Sequence, residues 1–179
     1  MFQKLHNDLV IDDYSALEET ISYGHEVDGQ FRGISYSFVN LKSQKLYELV
    51  PKRYWHNFYT QLMKINTEIP PHTDSGIKFT INCYLQTDNC LTQFYKLNSD
   101  NPKLTKLPTQ TNGRIYDEAD LIKTNSFIAK PNEVWVLDVS QPHGVFPLGE
   151  FKERVAITLS SMIYNYNDVC NMLYETGNL

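Results

Sequence analysis

Leu62-Met63-Lys64-Ile65-Asn66-Thr67-Glu68-Ile69-Pro70-Pro71-His72-Thr73-Asp74, continued after a short gap by Phe79-Thr80-Ile81-Asn82-Cys83-Tyr84-Leu85-Gln86, decides the fold. The first part alternates so that Met63, Ile65 and Ile69 share one face. In the second, Phe79, Ile81, Cys83 and Leu85 alternate with Thr80, Asn82, Tyr84 and Gln86. Period-two alternation is the signature of strands. Pro70 and Pro71 fix the backbone between them, so His72 and Asp74 are expected at the junction of two strands. In extended chain, residues i and i+2 point to the same side about 6.6 Å apart along the strand, close enough for one cation to be reached by both.

Further on, Glu133-Val134-Trp135-Val136-Leu137-Asp138-Val139 reads as another strand, introduced by Lys130-Pro131-Asn132 and closed by Ser140-Gln141-Pro142. His143 follows in what reads as a turn. Eleven residues later Arg154 opens a further strand, with Arg154, Ala156, Thr158 and Ser160 on one face and Val155, Ile157 and Leu159 on the other. On an ordinary half-exposed sheet Arg154 would be a surface residue. In a closed or stacked sheet that face would line the interior. A His-x-acid pair alone is unspecific, and the chain holds a second, His6-Asn7-Asp8. Near a chain start, with no strand expected before it, that copy is read as surface.

Two imidazoles and a carboxylate form the ligand set that holds non-haem Fe(II) on one face and leaves the other open, and a following arginine can take a carboxylate in fork geometry. With His72-x-Asp74, distant His143 and Arg154, the chain resembles the 2-oxoglutarate- and Fe(II)-dependent oxygenases. It is most similar to the small prolyl and aspartyl/asparaginyl hydroxylase-like members, over roughly residues 62–162. The resemblance implies a double-stranded β-helix, the jelly-roll or cupin-like core. It also implies iron held by His72, Asp74 and His143, with 2-oxoglutarate and O2 as cosubstrates and the distal carboxylate on Arg154. Hydroxylation of a C–H bond with release of succinate and CO2 is the implied reaction. Some relatives carry Ser two residues after the arginine, where this chain has Ala156. Asn82, Tyr84 and Thr158 are therefore the candidates for further cosubstrate contacts.

At 179 residues the chain is expected to be one catalytic domain. Its support would span about 1–61, its jelly-roll core about 62–162 and its tail 163–179. Sixteen basic against 21 acidic residues give a net charge of −5, which disfavours a partner bound by phosphate neutralisation, such as nucleic acid. No signal-peptide core or membrane-length apolar run is seen, and three cysteines show no zinc spacing. A cytoplasmic protein is expected, with no membrane partner, acting on a small molecule or a protein side chain. The sequence leaves the substrate and oligomeric state open.

The overall expectation is mostly β with N-terminal helices. One helix is predicted from the box Ser15-Ala16-Leu17-Glu18 to about Ser22, then a loop over Gly24–Gly33 and a strand over Ile34–Val39. A second helix runs from Ser43 or Pro51 to about Tyr59, with Trp55, Phe58, Tyr59 and Leu62 as its packed stripe and His56 on its surface. The polar stretch Lys96–Asn125, with its Asn112-Gly113 turn signal, is long for a connection within a compact β domain. It is expected to flank the metal pocket and contact substrate through Arg114 and Tyr116. The tyrosine-rich tail could cover the barrel mouth. A cupin-like metal protein without 2-oxoglutarate, or a β-sandwich interaction module, remain the alternatives. Only the oxygenase needs a cation deep beside the metal.

Overall fold

The computed structural model describes residues 1–12, 19–27, 30–38, 43–74, 76–106, 114–150 and 152–179. Its elements are β1 (Phe2–Lys4), β2 (Glu19–Val27), β3 (Gln30–Phe38), α1 (Gln44–Tyr47), a 3-10 turn (Lys52–Asn57), β4 (Tyr59–Ile65), β5 (Ile69–Thr73), β6 (Thr80–Gln86) and β7 (Cys90–Leu97). They continue with β8 (Leu104–Lys106), β9 (Arg114–Tyr116), a second 3-10 turn (Glu118–Asp120), β10 (Leu121–Ile128), β11 (Val134–Leu137), β12 (His143–Pro147), β13 (Arg154–Ser160) and α2 (Tyr166–Glu175). Two antiparallel sheets form, a larger one in the order β1-β11-β6-β13-β4-β3-β2 and a smaller one in the order β10-β7-β12-β5-β9-β8.

Over β11, β6, β13 and β4 the larger sheet is covered on both faces. One side of its alternation, Leu62, Ile81, Cys83, Val134, Val136, Ile157 and Leu159, packs under α1, the first 3-10 turn and α2, including Leu46, Val169 and Leu173. The other side faces the smaller sheet, where Tyr84, Leu137 and Ala156 meet Phe94 and Phe127, and Ile65 meets Ile69, Cys90 and Val145. All seven residues of β13 are consequently buried. The polar half of β6 and β13 points into the sandwich, while the apolar half lies under the helices.

Several expectations change. The helix predicted from Ser15 to Ser22 is replaced where it is described: Glu19–Ser22 belong to β2, and Ser15–Glu18 lie outside the described residues. The Gly24–Gly33 loop is largely a β2–β3 hairpin in which Gly24 pairs with Gly33. Ile34 to Phe38 is strand as expected, within β3. The second helix is real only as α1, capped by Ser43 Oγ, and the 3-10 turn. Phe58 is extended and Tyr59 starts β4. His56 is exposed. The tail forms α2 on the outer face of the larger sheet. Asn165 and Asp168 supply a reciprocal capping box there, and Tyr166, Val169, Cys170 and Leu173 bury one stripe. Among the described residues no helix is long and apolar enough to cross a membrane.

Candidate metal centre

His72 and His143 occupy strands rather than the expected junction and turn. They face each other across the β5–β12 pair, with ring centroids 4.4 Å apart. The pairing explains how both rings come to one face. His143 opposes His72, but Val145, two residues on, opposes Ile69, three residues back. One strand therefore holds an extra residue at Pro70-Pro71, a bulge that reverses the alternation. Ile69 lies against Val145 in the interior, and the bulge turns His72 to that same side. Proline suits the place because a bulge leaves a ladder N–H unneeded.

Each imidazole is oriented from behind. His72 Nδ1 lies 2.9 Å from Pro70 O, and His143 Nδ1 lies 2.9 Å from Gln141 O. With Nδ1–H donating to a carbonyl, each Nε2 is directed forward, the arrangement that fixes metal-binding histidines. Phe94 stacks on His143 at 5.5 Å, and Asp74 N donates to Val139 O at 3.2 Å. One ligand atom from each of His72, Asp74 and His143 lies within 4.8 Å of the others. Such a set can hold a divalent cation. Among the described residues it is the group of three or more ligating side chains that does so. His6 and Asp8 stand apart, exposed, with Asp8 paired to Lys4 at 3.3 Å. β1 does precede them, contrary to expectation.

The electrostatics match a cation site. Burial works to lower His72, but the hydrogen bond and charge of Asp74, 3.3 Å from Nε2, outweigh it and hold the imidazole above its ordinary value. Burial and the charge of His72 push His143 down to about 4. Burial opposes ionisation of Asp74, yet His72 and His143 hold it below the ordinary carboxylate value. His143 is thus neutral with its lone pair forward, and Asp74 is anionic.

Arg154 begins β13 on its inward face and is 2% exposed. Nη1 donates to Thr92 Oγ1 at 2.8 Å and Nη2 to the Tyr84 hydroxyl at 2.5 Å, with the guanidinium over the Tyr84 ring at 4.5 Å. Among the described residues its buried Nε has no acceptor and no carboxylate pairs with it. Burying an uncompensated charge is strongly unfavourable, so this cation calls for an anion. Thr92 opposes Val145 and Phe94 opposes His143 on the same ladder. The guanidinium therefore docks two strand residues, about 7 Å, from the level of His143.

Asn82 Nδ2 donates to the Tyr84 hydroxyl at 3.2 Å, whereas Thr158 donates to Gln61 O at 3.4 Å and so is turned toward β4. Arg114 and Tyr116 lie on β9, whose Ile115 opposes His72 and whose Arg114 opposes Thr73. The β9 part of the Lys96–Asn125 stretch thus runs beside the ligand strand, with Ile115 on the face of His72 and Arg114 and Tyr116, the expected contacts, on the other. The stretch contains β8, β9 and part of β10, while Asn112-Gly113 lie outside the described residues. Sequence reading missed Thr92 and Phe94, because Cys90-Leu91-Thr92-Gln93-Phe94-Tyr95 mixes polar and apolar residues on both faces. It also missed Tyr59, whose hydroxyl burial and the charge of Asp74 together push up.

No sequence-family profile matches the chain, and no curated protein sequence matches it. Among solved structures, an oxidoreductase of the 2OG-Fe(II) oxygenase family from Burkholderia pseudomallei aligns with a TM-score of 0.48 and 14% identity, over 82% of this chain and 74% of that one. The vicilin from Solanum melongena aligns with a TM-score of 0.37 and 10% identity, over 86% of this chain and 30% of that one. Both likenesses are too distant to assign an activity, which falls to the side chains of His72, Asp74, His143 and Arg154.

Proposed function

We propose that this protein is a 2-oxoglutarate- and Fe(II)-dependent oxygenase with a jelly-roll core. The observation that carries the reading is the pairing of two features inside one sandwich. A His72, Asp74, His143 cluster has both Nε2 atoms aimed forward, and a buried Arg154 nearby has, among the described residues, no carboxylate partner and an unpaired Nε. A metal centre alone explains the first and not the second. A small diacid whose one end chelates the metal and whose other end meets Arg154 explains both.

In this reading the two imidazoles and Asp74 hold iron. Arg154 neutralises the distal carboxylate of 2-oxoglutarate through charge-assisted hydrogen bonds. Tyr84 lies against the guanidinium as the second anchor of that carboxylate. Phe94 and the aromatic cluster around it exclude water from one flank. Bound iron with 2-oxoglutarate and O2 would supply the oxidising chemistry, releasing succinate and CO2 while one oxygen atom enters a substrate C–H bond. On β9 we assign the substrate contact to Ile115, which opposes His72 and shares its face, while Arg114 and Tyr116 alternate to the other face.

The test is an anaerobic titration. Adding 2-oxoglutarate to the Fe(II)-loaded protein should produce a visible charge-transfer band, and admitting air should then release succinate. Absence of Fe(II)-dependent 2-oxoglutarate binding would reject the reading.

A further inference from the structure

A chain of polar side chains runs through the sandwich behind Tyr84. Ser160 Oγ donates to Thr80 Oγ1 at 3.3 Å, and Thr80 Oγ1 donates to Asn82 Oδ1 at 2.8 Å. Asn82 Nδ2 donates to the Tyr84 hydroxyl at 3.2 Å, which also accepts from Arg154 Nη2. Ser160, Thr80, Asn82 and Tyr84 are all 9% exposed or less. Hydroxyls at 80 and 160 and an amide at 82 are costly to bury unless satisfied, and three such residues in line on two adjacent strands would cost less as apolar ones.

Donor bookkeeping gives the line a direction. A guanidinium can only donate, so one acceptor position on the Tyr84 oxygen is taken by Arg154. The Asn82 amide could face either way. With Thr80 giving its proton to Oδ1, Nδ2 is turned toward Tyr84 and fills the second acceptor position. The phenolic hydrogen then has no acceptor among the described residues, next to a guanidinium whose Nη2 donates to the same oxygen and whose Nε is also unpaired.

We propose that Ser160, Thr80 and Asn82 are positioning residues that set the direction of the Tyr84 hydroxyl, making it a donor to the anion bound at Arg154. The inference rests on the oxygenase reading for the identity of that anion, the distal carboxylate of 2-oxoglutarate. If the line ran in the opposite sense, Tyr84 would give its hydrogen to Asn82 Oδ1 and present only lone pairs to a carboxylate. Thr80 thereby governs a hydrogen bond at a group it does not touch.

The isosteric Thr80→Val change removes the donor that holds Asn82 Oδ1 and frees the amide to take the Tyr84 proton. Dissociation constants for 2-oxoglutarate are measured anaerobically on the Fe(II)-loaded wild-type, Thr80→Val, Tyr84→Phe and doubly substituted proteins. The expected weakening for Thr80→Val is roughly three- to tenfold, that of one neutral hydrogen bond. With Phe at 84 the same change should have less than about a twofold effect, since the coupling passes through the hydroxyl. Equal weakening in both backgrounds, or none in either, overturns the proposal. Asn82→Asp, which presents only acceptors to Tyr84, should weaken binding further, and unaltered binding there also overturns it. Unchanged Fe(II) affinity verifies that each variant is folded. A wild-type protein that binds Fe(II) but not 2-oxoglutarate defeats the oxygenase reading itself, whereas wild-type binding with indifferent variants defeats only the directed line.

Discussion

His72 Nε2 lies 3.3 Å from Asp74 Oδ1, so a proton and a divalent cation compete for the space between them. The imidazole is held above its ordinary value by that carboxylate, after burial has pulled the other way. A raised folded-state value means that the pair stabilises the metal-free fold below the unfolded pKa of about 6.5, and that this contribution fades as pH rises through the folded value. Metal binding needs neutral imidazole and so has the opposite preference. Calorimetric titration with Fe(II) in buffers of differing ionisation enthalpy should therefore show about one proton released near pH 6 and progressively fewer as the pH is raised through the folded value of His72. Release that is independent of pH would remove His72 from the centre. Asp74→Ala should abolish Fe(II) binding, because it deletes the one anionic ligand and leaves two imidazoles. Asp8→Ala should bind iron as wild type does, Asp8 being an exposed partner of Lys4. Loss of metal in the second variant alone would show that the wrong His-x-Asp was chosen.

At the scale of elements, the close approach of β12 to β5 depends on Gly144. A Cβ there would stand 2.9 Å from Ile69 O and 2.8 Å from Phe146 Cε2. The backbone oxygen cannot swing aside, so Gly144→Ala must push the strands apart next to His143. A loss of about 1–3 kcal/mol is expected, as for other overpacked sites, together with weaker Fe(II) binding. Chemical denaturation and metal titration measure the two, and unchanged values in both would show that the approach is not constrained.

The β6–β7 turn has a comparable task. Asp88 and Asn89 both adopt positive φ, and Asp88 Oδ2 accepts from the backbone N–H of Lys152 and Glu153 at 3.2 and 3.1 Å. It thus fastens the chain just before Arg154. Those backbone donors, Glu153 foremost, hold its carboxyl below the ordinary value. A depressed folded value contributes stability above the unfolded pKa that is lost as pH falls. Asp88→Ala should lower the melting temperature at pH 7, and the difference should shrink toward pH 3. An undiminished difference at pH 3 would mean that the carboxylate charge is irrelevant.

The alternation over β6, β11 and β13 was legible because each buries two chemically distinct faces. Which face meets the site was not, since hydrophobicity points toward the helices and away from the pocket. The β2–β3 hairpin escaped notice because Gly24 and Gly33 look like loop residues, although as partners in register they are accommodated together. The bulge in β5 is equally hidden. Pro70-Pro71 signals a break in the ladder, but only the partner strand reveals that the break reverses a side chain.

For the molecule as a whole, the metal centre and the helical layer lie on opposite faces of the larger sheet and should respond separately. Leu173, fully buried beneath that sheet, should cost about 2–5 kcal/mol when replaced by Ala, with little change in Fe(II) affinity under native conditions. A parallel fall in metal affinity would show that the layers are coupled. On the other side of the sandwich, replacing Ile115, which shares the face of His72, by Ala should spare Fe(II) and 2-oxoglutarate binding and uncoupled succinate release, while weakening substrate hydroxylation. Full hydroxylation in that variant would move the substrate away from β9.

β13 lies between β4 and β6 and pairs with both. During synthesis, therefore, two long strands leave the ribosome each lacking a neighbour, and stay so until residues 154–160 emerge behind them. Unpaired edges are templates for association between chains, and such non-local pairing is slow. Chains released before Arg154 should accumulate in aggregates, and chains carrying both β13 and α2 should not. A ribosome-display series of increasing length would locate the change. The residue that gives the pocket its positive charge is also the first of the strand that closes the sheet, so a chain arrested short of closure has no anion site to fill.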